Sequence, residues 1–115
     1  MLIHDFFLLD RRHIPVTVDE KDVPYHYCKT EPGVKINDEP ILQAYDGLKE
    51  MQFHWHYYGN LHFGLAYHGI TIIPNEALAD FYVILDSLHD RSFEKLKNLC
   101  VQAMRTKKDI VHFGI

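Results

Sequence analysis

The sequence predicts one α+β domain over residues 1–115, with a mostly antiparallel sheet and about three helices packed on one of its faces. Three observations lead to this class. The chain has 115 residues, of which 47% are hydrophobic and 24% are charged, as expected for a single globular domain. Strand-like and helix-like segments follow one another in the order β-β-β-α-β-β-α-α-β. A Tyr-Gly-Asn turn at 58–60 separates two strand-like segments, which should therefore pair antiparallel.

The N-terminal third is predicted to hold three strands. Residues 2–9 form an apolar run that ends at a charged triplet. Residues 13–18 have the composition of a short strand, which Pro15 restricts to an edge or to a strand start. The aromatic residues within 25–30 favour a third strand. The Pro-Gly pair within 31–37 predicts a turn before the first helix.

Three helices are predicted from capping residues and from apolar residues at three- and four-residue spacing. The first opens at Asp38, a favourable N-cap, with Pro40 near the first helical position. The second starts after Pro74 and Asn75, and Ser92 caps the third. The predicted buried stripes are Ile41, Leu42, Tyr45, Leu48 and Met51 in the first helix, Leu78, Phe81, Leu85 and Leu88 in the second, and Phe93, Leu96, Leu99, Cys100, Ala103 and Met104 in the third.

Residues 52–73 are predicted to form a hairpin, and residues 110–115 a final strand. On each side of the hairpin turn, apolar residues alternate with histidines or small residues, which is typical of a strand with one buried face. A two-residue loop would place the histidine row of one strand on the apolar face of the other. An odd loop of three residues (58–60), or of five, pairs Tyr57 with Leu61 and puts both apolar rows on one face. The odd loop is therefore preferred.

The preferred register would bring three histidines together on the outer face. In this pairing His56 lies opposite His62, with about 5 Å between Cβ atoms, and His54 lies two residues along the same row. Three imidazoles with an open fourth position form a catalytic zinc arrangement, so a zinc protein or a small hydrolase is one interpretation. The other interpretation is a face that contacts a partner without any cofactor. It is preferred because no carboxylate is placed to orient a metal ligand.

Charge and composition argue against several functional classes. The formal net charge is −4, with 6 Lys and Arg against 13 Asp and Glu in residues 1–89 and 6 against 3 in residues 90–115. Nucleic-acid binding is not expected, because no basic block is interleaved with aromatic residues. A membrane span is not expected, because no apolar run reaches about 18 residues. The N-terminus has the wrong charge order for a signal peptide, so a cytoplasmic protein with reduced cysteines is expected.

The sequence contains only weak signals for other catalytic or ligand-binding sites. His26 and Cys28 are two residues apart and would point to the same side of a strand, but a third group to orient them is missing. Neither serine lies in a G-x-S-x-G context, and no glycine-rich phosphate-binding motif is present. A non-catalytic role is therefore preferred over an enzymatic one.

The segment GLAYHGITIIP, the helix pair that follows it and the terminal IVHFGI together resemble the immunity proteins of bacterial polymorphic-toxin systems. The resemblance covers about residues 60–115. It implies a cytoplasmic inhibitor that binds a cognate toxin domain and has no catalytic activity of its own. It carries over no individual binding residue.

The expected partner surface combines the histidine face with an acidic loop. An acidic chain can meet a basic toxin surface, and opposite charge speeds their encounter. Aromatic and histidine side chains on an exposed face suit an interface. The residues are His54, His56, Tyr58, His62 and His68 in the hairpin, with Asp19, Glu20 and Asp22 in the loop. A homodimer through sheet edges or through the histidine face fits either functional class.

Overall fold

The computed structural model describes residues 2–11 and 33–115, and it confirms an α+β fold with an antiparallel sheet and three helices. The strands are β1 (Ile3–Leu9), β2 (Val34–Asn37), β3 (Gln52–Trp55), β4 (Leu61–Phe63), β5 (Ile70–Ile73) and β6 (Asp109–Phe113), and the helices are α1 (Asp38–Leu48), α2 (Leu78–Ser87) and α3 (Glu94–Thr106). The strands lie in the order β2-β1-β6-β5-β3-β4. The strands predicted at 13–18 and 25–30 lie outside the described residues.

Alternating side chains give the sheet two different buried faces. The first face packs with the buried residues of all three helices into the main core. The second face forms a smaller buried cluster of its own. The face toward the helices carries Phe6, Leu8, Phe53, Ile73 and Ile110, and the opposite face carries Leu9, Ile70, Ile72 and Val111. Each such side chain contributes about 1.5–3 kcal/mol when it is fully buried, so most of the stability comes from the helix-covered face.

Helix α1 follows β2 without a connecting loop. Asn37 occupies the N-cap position in extended conformation, and Asp38, predicted as the cap, is instead the first helical residue. Its carboxylate is therefore available for contacts away from the helix end. Ile41 and Leu48 are buried as predicted, whereas Leu42 is 53% exposed, so the apolar stripe is narrower than predicted.

Helices α2 and α3 each follow a short 3-10 turn, at Asn75–Ala77 and Arg91–Phe93. Ser92, predicted as the cap of the third helix, lies inside the 3-10 turn before α3. Asp90 caps this turn, because its carboxylate accepts a hydrogen bond from the Ser92 N–H at 2.8 Å. The predicted core side of these helices is largely confirmed. None of the helices described has the length and apolar content needed to cross a membrane.

Two parts of the sheet differ from the prediction. The segment Val34–Asn37 was predicted as a turn but forms β2, which pairs with β1 at one edge of the sheet. Residues 52–73 contain three strands rather than two. The chain leaves the sheet at Gly64, whose φ of 78° is in the left-handed region, and returns as β5 on the other side of β3.

Candidate functional site

The pairing of β3 with β4 differs from the predicted hairpin register. His54 lies opposite Leu61, and the Trp55 N–H donates to the Asn60 carbonyl at 2.8 Å. The loop between the strands is therefore even, and the predicted pairing of Tyr57 with Leu61 is wrong. A change of one residue in register moves every side chain of one strand to the other face.

The prediction assumed that both strands bury an apolar row. Strand β4 lies at the edge of the sheet and is exposed throughout, with Leu61 51% and Phe63 63% accessible. Burial therefore does not select a face for β4, and the loop sets its register instead. Two loop residues adopt positive φ, His56 at 69° and Gly59 at 95°.

The observed register separates the three histidines of the predicted zinc site. His54 lies on the face away from the helices, with its ring 5.6 Å from that of Tyr58. His62 lies on the other face, stacked on Trp55 with 4.5 Å between ring centroids. His56 lies in the loop. The predicted convergence is thus wrong, and among the described residues no group of three or more His, Cys, Asp or Glu side chains is placed to hold a metal ion.

Two of the predicted histidines, His56 and His68, instead line the same open groove of about 420 Å³ beside α1. We call this the hairpin groove. Its lining residues are Tyr45, Trp55, His56, Leu65, Ala66, Tyr67, His68 and Gly69. The lining contains no Lys, Arg, Asp or Glu, so the groove suits aromatic, apolar and hydrogen-bonding contacts.

Hydrogen bonds and close packing fix the walls of the hairpin groove. The Tyr45 hydroxyl donates to the Leu65 carbonyl at 2.6 Å, and the Trp55 Nε1–H donates to the Gly64 carbonyl at 2.8 Å. The imidazole of His56 lies so close to Gly69 that a Cβ there would come within 2.7 Å of Cε1. The groove is therefore preformed, because its aromatic walls are held by the backbone of the segment after β4.

Behind the hairpin groove, a chain of hydrogen bonds runs from Tyr67 into the core; we call it the histidine network. The Tyr67 hydroxyl donates to Asp38 Oδ2 at 2.8 Å, and Asp38 Oδ1 lies 2.9 Å from His4 Nε2. His4 Nδ1 lies 2.8 Å from His112 Nε2. His112 Nδ1 lies 3.5 Å from the Thr71 hydroxyl oxygen, a long and weak contact. His4, His112 and Thr71 are completely buried.

Donor and acceptor rules assign the protons of the histidine network. A carboxylate only accepts, so His4 donates to Asp38 through Nε2. With His4 neutral, its Nδ1 accepts from His112, and His112 in turn accepts from Thr71. The Thr71 oxygen also accepts from the Ala66 N–H at 2.7 Å. In this arrangement each proton of the network has an acceptor.

Burial determines the protonation state of His112. It lowers the pKa of this ring to about 3, so His112 is neutral at physiological pH. Hydrogen bonds from His4 and then from Tyr67 lower the pKa of the Asp38 carboxyl, which is therefore ionised. The histidine network therefore holds a carboxylate at its outer end and the neutral His112 ring in its interior.

On the opposite face of the sheet, Asp109 is the centre of a second buried polar group, which we call the carboxylate cluster. Its Oδ2 accepts from the Tyr58 hydroxyl at 2.5 Å and from Arg11 Nε at 3.2 Å, and its Oδ1 accepts from the Asn75 N–H at 2.7 Å. Arg11 also binds Glu76 at 2.7 Å. Burial raises the pKa of the Asp109 carboxyl although these donors oppose it, and burial followed by the charge of Asp109 raises the pKa of Tyr58.

The predicted partner-binding residues therefore fall into separate places. His56 and His68 line the hairpin groove, and His62 is exposed beside its Trp55 wall. Half-buried His54 and Tyr58 lie on the other face, where the Tyr58 hydroxyl is committed to the carboxylate cluster. The acidic residues Asp19, Glu20 and Asp22 and the pair His26 and Cys28 lie outside the described residues. Cys100 is buried as predicted, and burial raises the pKa of its thiol to about 12.

The histidine network itself was not predicted. His4 and His112 are 108 residues apart and meet only because β1 pairs with β6. A weak signal was present in each strand, since His4 shares an alternating row with Phe6, and His112 shares one with Ile110. A histidine in the buried row of a strand indicates a satisfied polar contact, but its partner cannot be identified without the strand order.

No protein-family model, curated protein or solved structure matched this chain.

Proposed function

We propose that this chain is a non-catalytic protein-binding domain that recognises its partner through the hairpin groove. The observation that carries the proposal is the preformed lining of this groove, which contains no Lys, Arg, Asp or Glu and has Tyr45, Trp55 and Tyr67 as aromatic walls. Tryptophan and tyrosine are among the residues that contribute most to protein interfaces. Since hydrogen bonds already fix Tyr45 and Trp55, a partner would lose little affinity to the ordering of side chains.

The histidine network favours binding over catalysis. Asp38 and His4 resemble the carboxylate–imidazole pair of a hydrolase, which requires a nucleophile at the second ring nitrogen. That nitrogen of His4 faces His112, a neutral ring buried in the core. The network therefore supports the groove from behind, because Tyr67 lines the groove and donates to Asp38.

We further propose that the partner is a bacterial toxin domain and that the chain is a cytoplasmic immunity protein. This finer proposal comes from the resemblance of residues 60–115 to such proteins. The net charge of −4 supports a basic partner, since opposite charge speeds association. A gene for a secreted toxin immediately upstream would support the proposal, whereas a metabolic operon would count against it.

Calorimetry with the toxin domain encoded beside this gene tests the proposal. We expect wild-type protein to bind and His56→Asn to weaken binding at least about tenfold, which is about 1.4 kcal/mol. His89→Asn is a matched control, because His89 is also exposed and also has positive φ, at 51° against 69° for His56. Asparagine tolerates positive φ, so both variants should fold.

The control should bind like wild type, since His89 is not part of the groove lining. Absence of binding by wild-type protein would overturn the toxin proposal. Equal binding by the His56 and His89 variants would show that the hairpin groove is not the recognition surface.

A further inference from the structure

Within the described part of the chain, strand β4 presents unpaired backbone groups at the outer edge of the sheet. The Asn60 carbonyl and the Gly64 N–H are bonded toward β3. Because hydrogen bonding alternates along an antiparallel strand, His62 also bonds toward β3, whereas Leu61 and Phe63 direct their N–H and C=O groups outward. No backbone partner for these outward groups exists among the described residues.

This edge lacks the usual protection against pairing with another chain. Residues 51–75 contain no Lys, Arg, Asp or Glu, although natural edge strands commonly carry charged side chains that prevent further pairing. Leu61 and Phe63 are exposed on the same side of β4. At the other edge of the described sheet, β2 is protected in the usual way by Lys35, whose side chain is 71% exposed and whose Nζ lies 2.8 Å from Asp5.

We infer that β4 pairs with β4 of a second copy of this chain, so that the two sheets join across a twofold axis. The strand is self-complementary when paired antiparallel about His62. Leu61 of each copy then lies opposite Phe63 of the other, and each of these pairs exchanges both backbone hydrogen bonds. The two exposed apolar side chains cover one another, and His62 lies opposite its counterpart.

A second copy is the partner that this edge fits best. Two chains of net charge −4 repel, but the paired strands and their flanks contribute no formal charge to the contact. The remaining charges are screened over about 8 Å at physiological ionic strength. The contact involves only a three-residue strand, so the dimer is expected to be weak and concentration-dependent. This inference is independent of the partner proposed for the hairpin groove.

Sedimentation equilibrium over a range of concentrations tests the inference. We expect the average mass of wild-type protein to rise from monomer toward dimer, and Leu61→Lys to remain monomeric, because a lysine at the edge blocks pairing. Leu42→Lys is the matched control and should behave as wild type, since Leu42 is 53% exposed against 51% for Leu61 and lies on α1. A wild-type protein that stays monomeric at every concentration overturns the inference. Equal effects of Leu61→Lys and Leu42→Lys on the average mass would also overturn the inference.

Cross-linking tests the register. In the proposed pairing His62 faces its counterpart in a non-hydrogen-bonded position, where Cα atoms are about 4.5 Å apart and a disulfide can form. We expect His62→Cys in a Cys28→Ser background to give a disulfide-linked dimer under mild oxidation, and Leu42→Cys in the same background to stay monomeric. Cys100 is buried and should not interfere. A wild-type dimer whose His62→Cys variant does not cross-link would overturn the proposed register.

Discussion

Strand β6 buries two polar side chains in opposite directions, and the sheet accommodates them in different ways. Asp109 faces the side away from the helices and is surrounded by donors, including the cation of Arg11. His112 faces the helices, and among the described residues its polar neighbours are the His4 ring and the Thr71 hydroxyl. The difference follows from access to solvent, because Arg11 is 44% exposed and can remain charged while it reaches the buried carboxylate.

The two sites should therefore respond to acid with opposite sign. The pKa of His112 is lowered, so the folded state binds a proton less readily than the unfolded state does. The pKa of Asp109 is raised, so the folded state binds a proton more readily. As the pH falls, protonation works against the fold at the histidine network and in its favour at the carboxylate cluster.

The largest expected effect is an acid-induced loss of stability from His112. Its contribution is fully present above the unfolded pKa of about 6.5 and is lost as the pH falls toward the folded value of about 3. The slope is about 1.4 kcal/mol per pH unit, and the total is on the order of 4–5 kcal/mol. Urea unfolding at a series of pH values across this range measures it directly.

The variant His112→Asn provides the control for this slope. It removes the titrating ring, so its free energy of unfolding should fall less steeply between pH 6.5 and pH 4 than that of the wild type. It should also be less stable at neutral pH, because His4 loses its partner. Parallel pH profiles for the two proteins would mean that another group causes the acid sensitivity.

The next largest loss of stability is expected from substitution of Asp109, at the other end of β6. Asp109→Ala leaves the Tyr58 hydroxyl, the Asn75 N–H and Arg11 without their shared acceptor, and should cost about 3 kcal/mol at neutral pH. Asp109→Asn keeps one acceptor oxygen and should cost about half as much. Denaturation followed by Trp55 fluorescence compares the two. Equal losses would show that the donors around Asp109 do not depend on its oxygens.

The smallest change in the free energy of unfolding is expected when one hydrogen-bond donor of the carboxylate cluster is removed. Tyr58→Phe removes one hydrogen bond to Asp109 but leaves Arg11 and the Asn75 N–H in place, so we expect a loss of about 1–2 kcal/mol. Tyr57→Phe is the control, because Tyr57 is also half-buried but its hydroxyl does not belong to the carboxylate cluster. It should change the free energy of unfolding by less than about 0.5 kcal/mol. A larger loss from Tyr57→Phe than from Tyr58→Phe would contradict this role of Tyr58.

The sequence predicted the parts of this molecule that burial alone determines. The three helices, the first and last strands and the position of Cys100 all follow from apolar spacing, because a misplaced face would expose the core. The register of β4 could not be predicted in the same way. Its residues are exposed, so pairing with β3 depends on the conformation of the loop, including positive φ at His56.

The sequence identified only some of the residues that line the hairpin groove. His56 and His68 were identified as surface residues, and both line the hairpin groove. Tyr45 and Tyr67 were not recognised as its walls. Their placement depends on contacts between α1 and the segment after β4. The histidine network depends on the strand order as well. Such long-range relations have no local signature in a single sequence.

The central position of β1 and β6 has a consequence for how the molecule folds. Their pairing joins residues about 100 positions apart, and closing a loop of that length costs about 4 kcal/mol of chain entropy. The local elements, such as the β3–β4 hairpin and the contact between α2 and α3, can form before this cost is met. We therefore expect the β1–β6 pairing to form late in folding, and during synthesis β1 cannot pair with β6 before β6 has emerged.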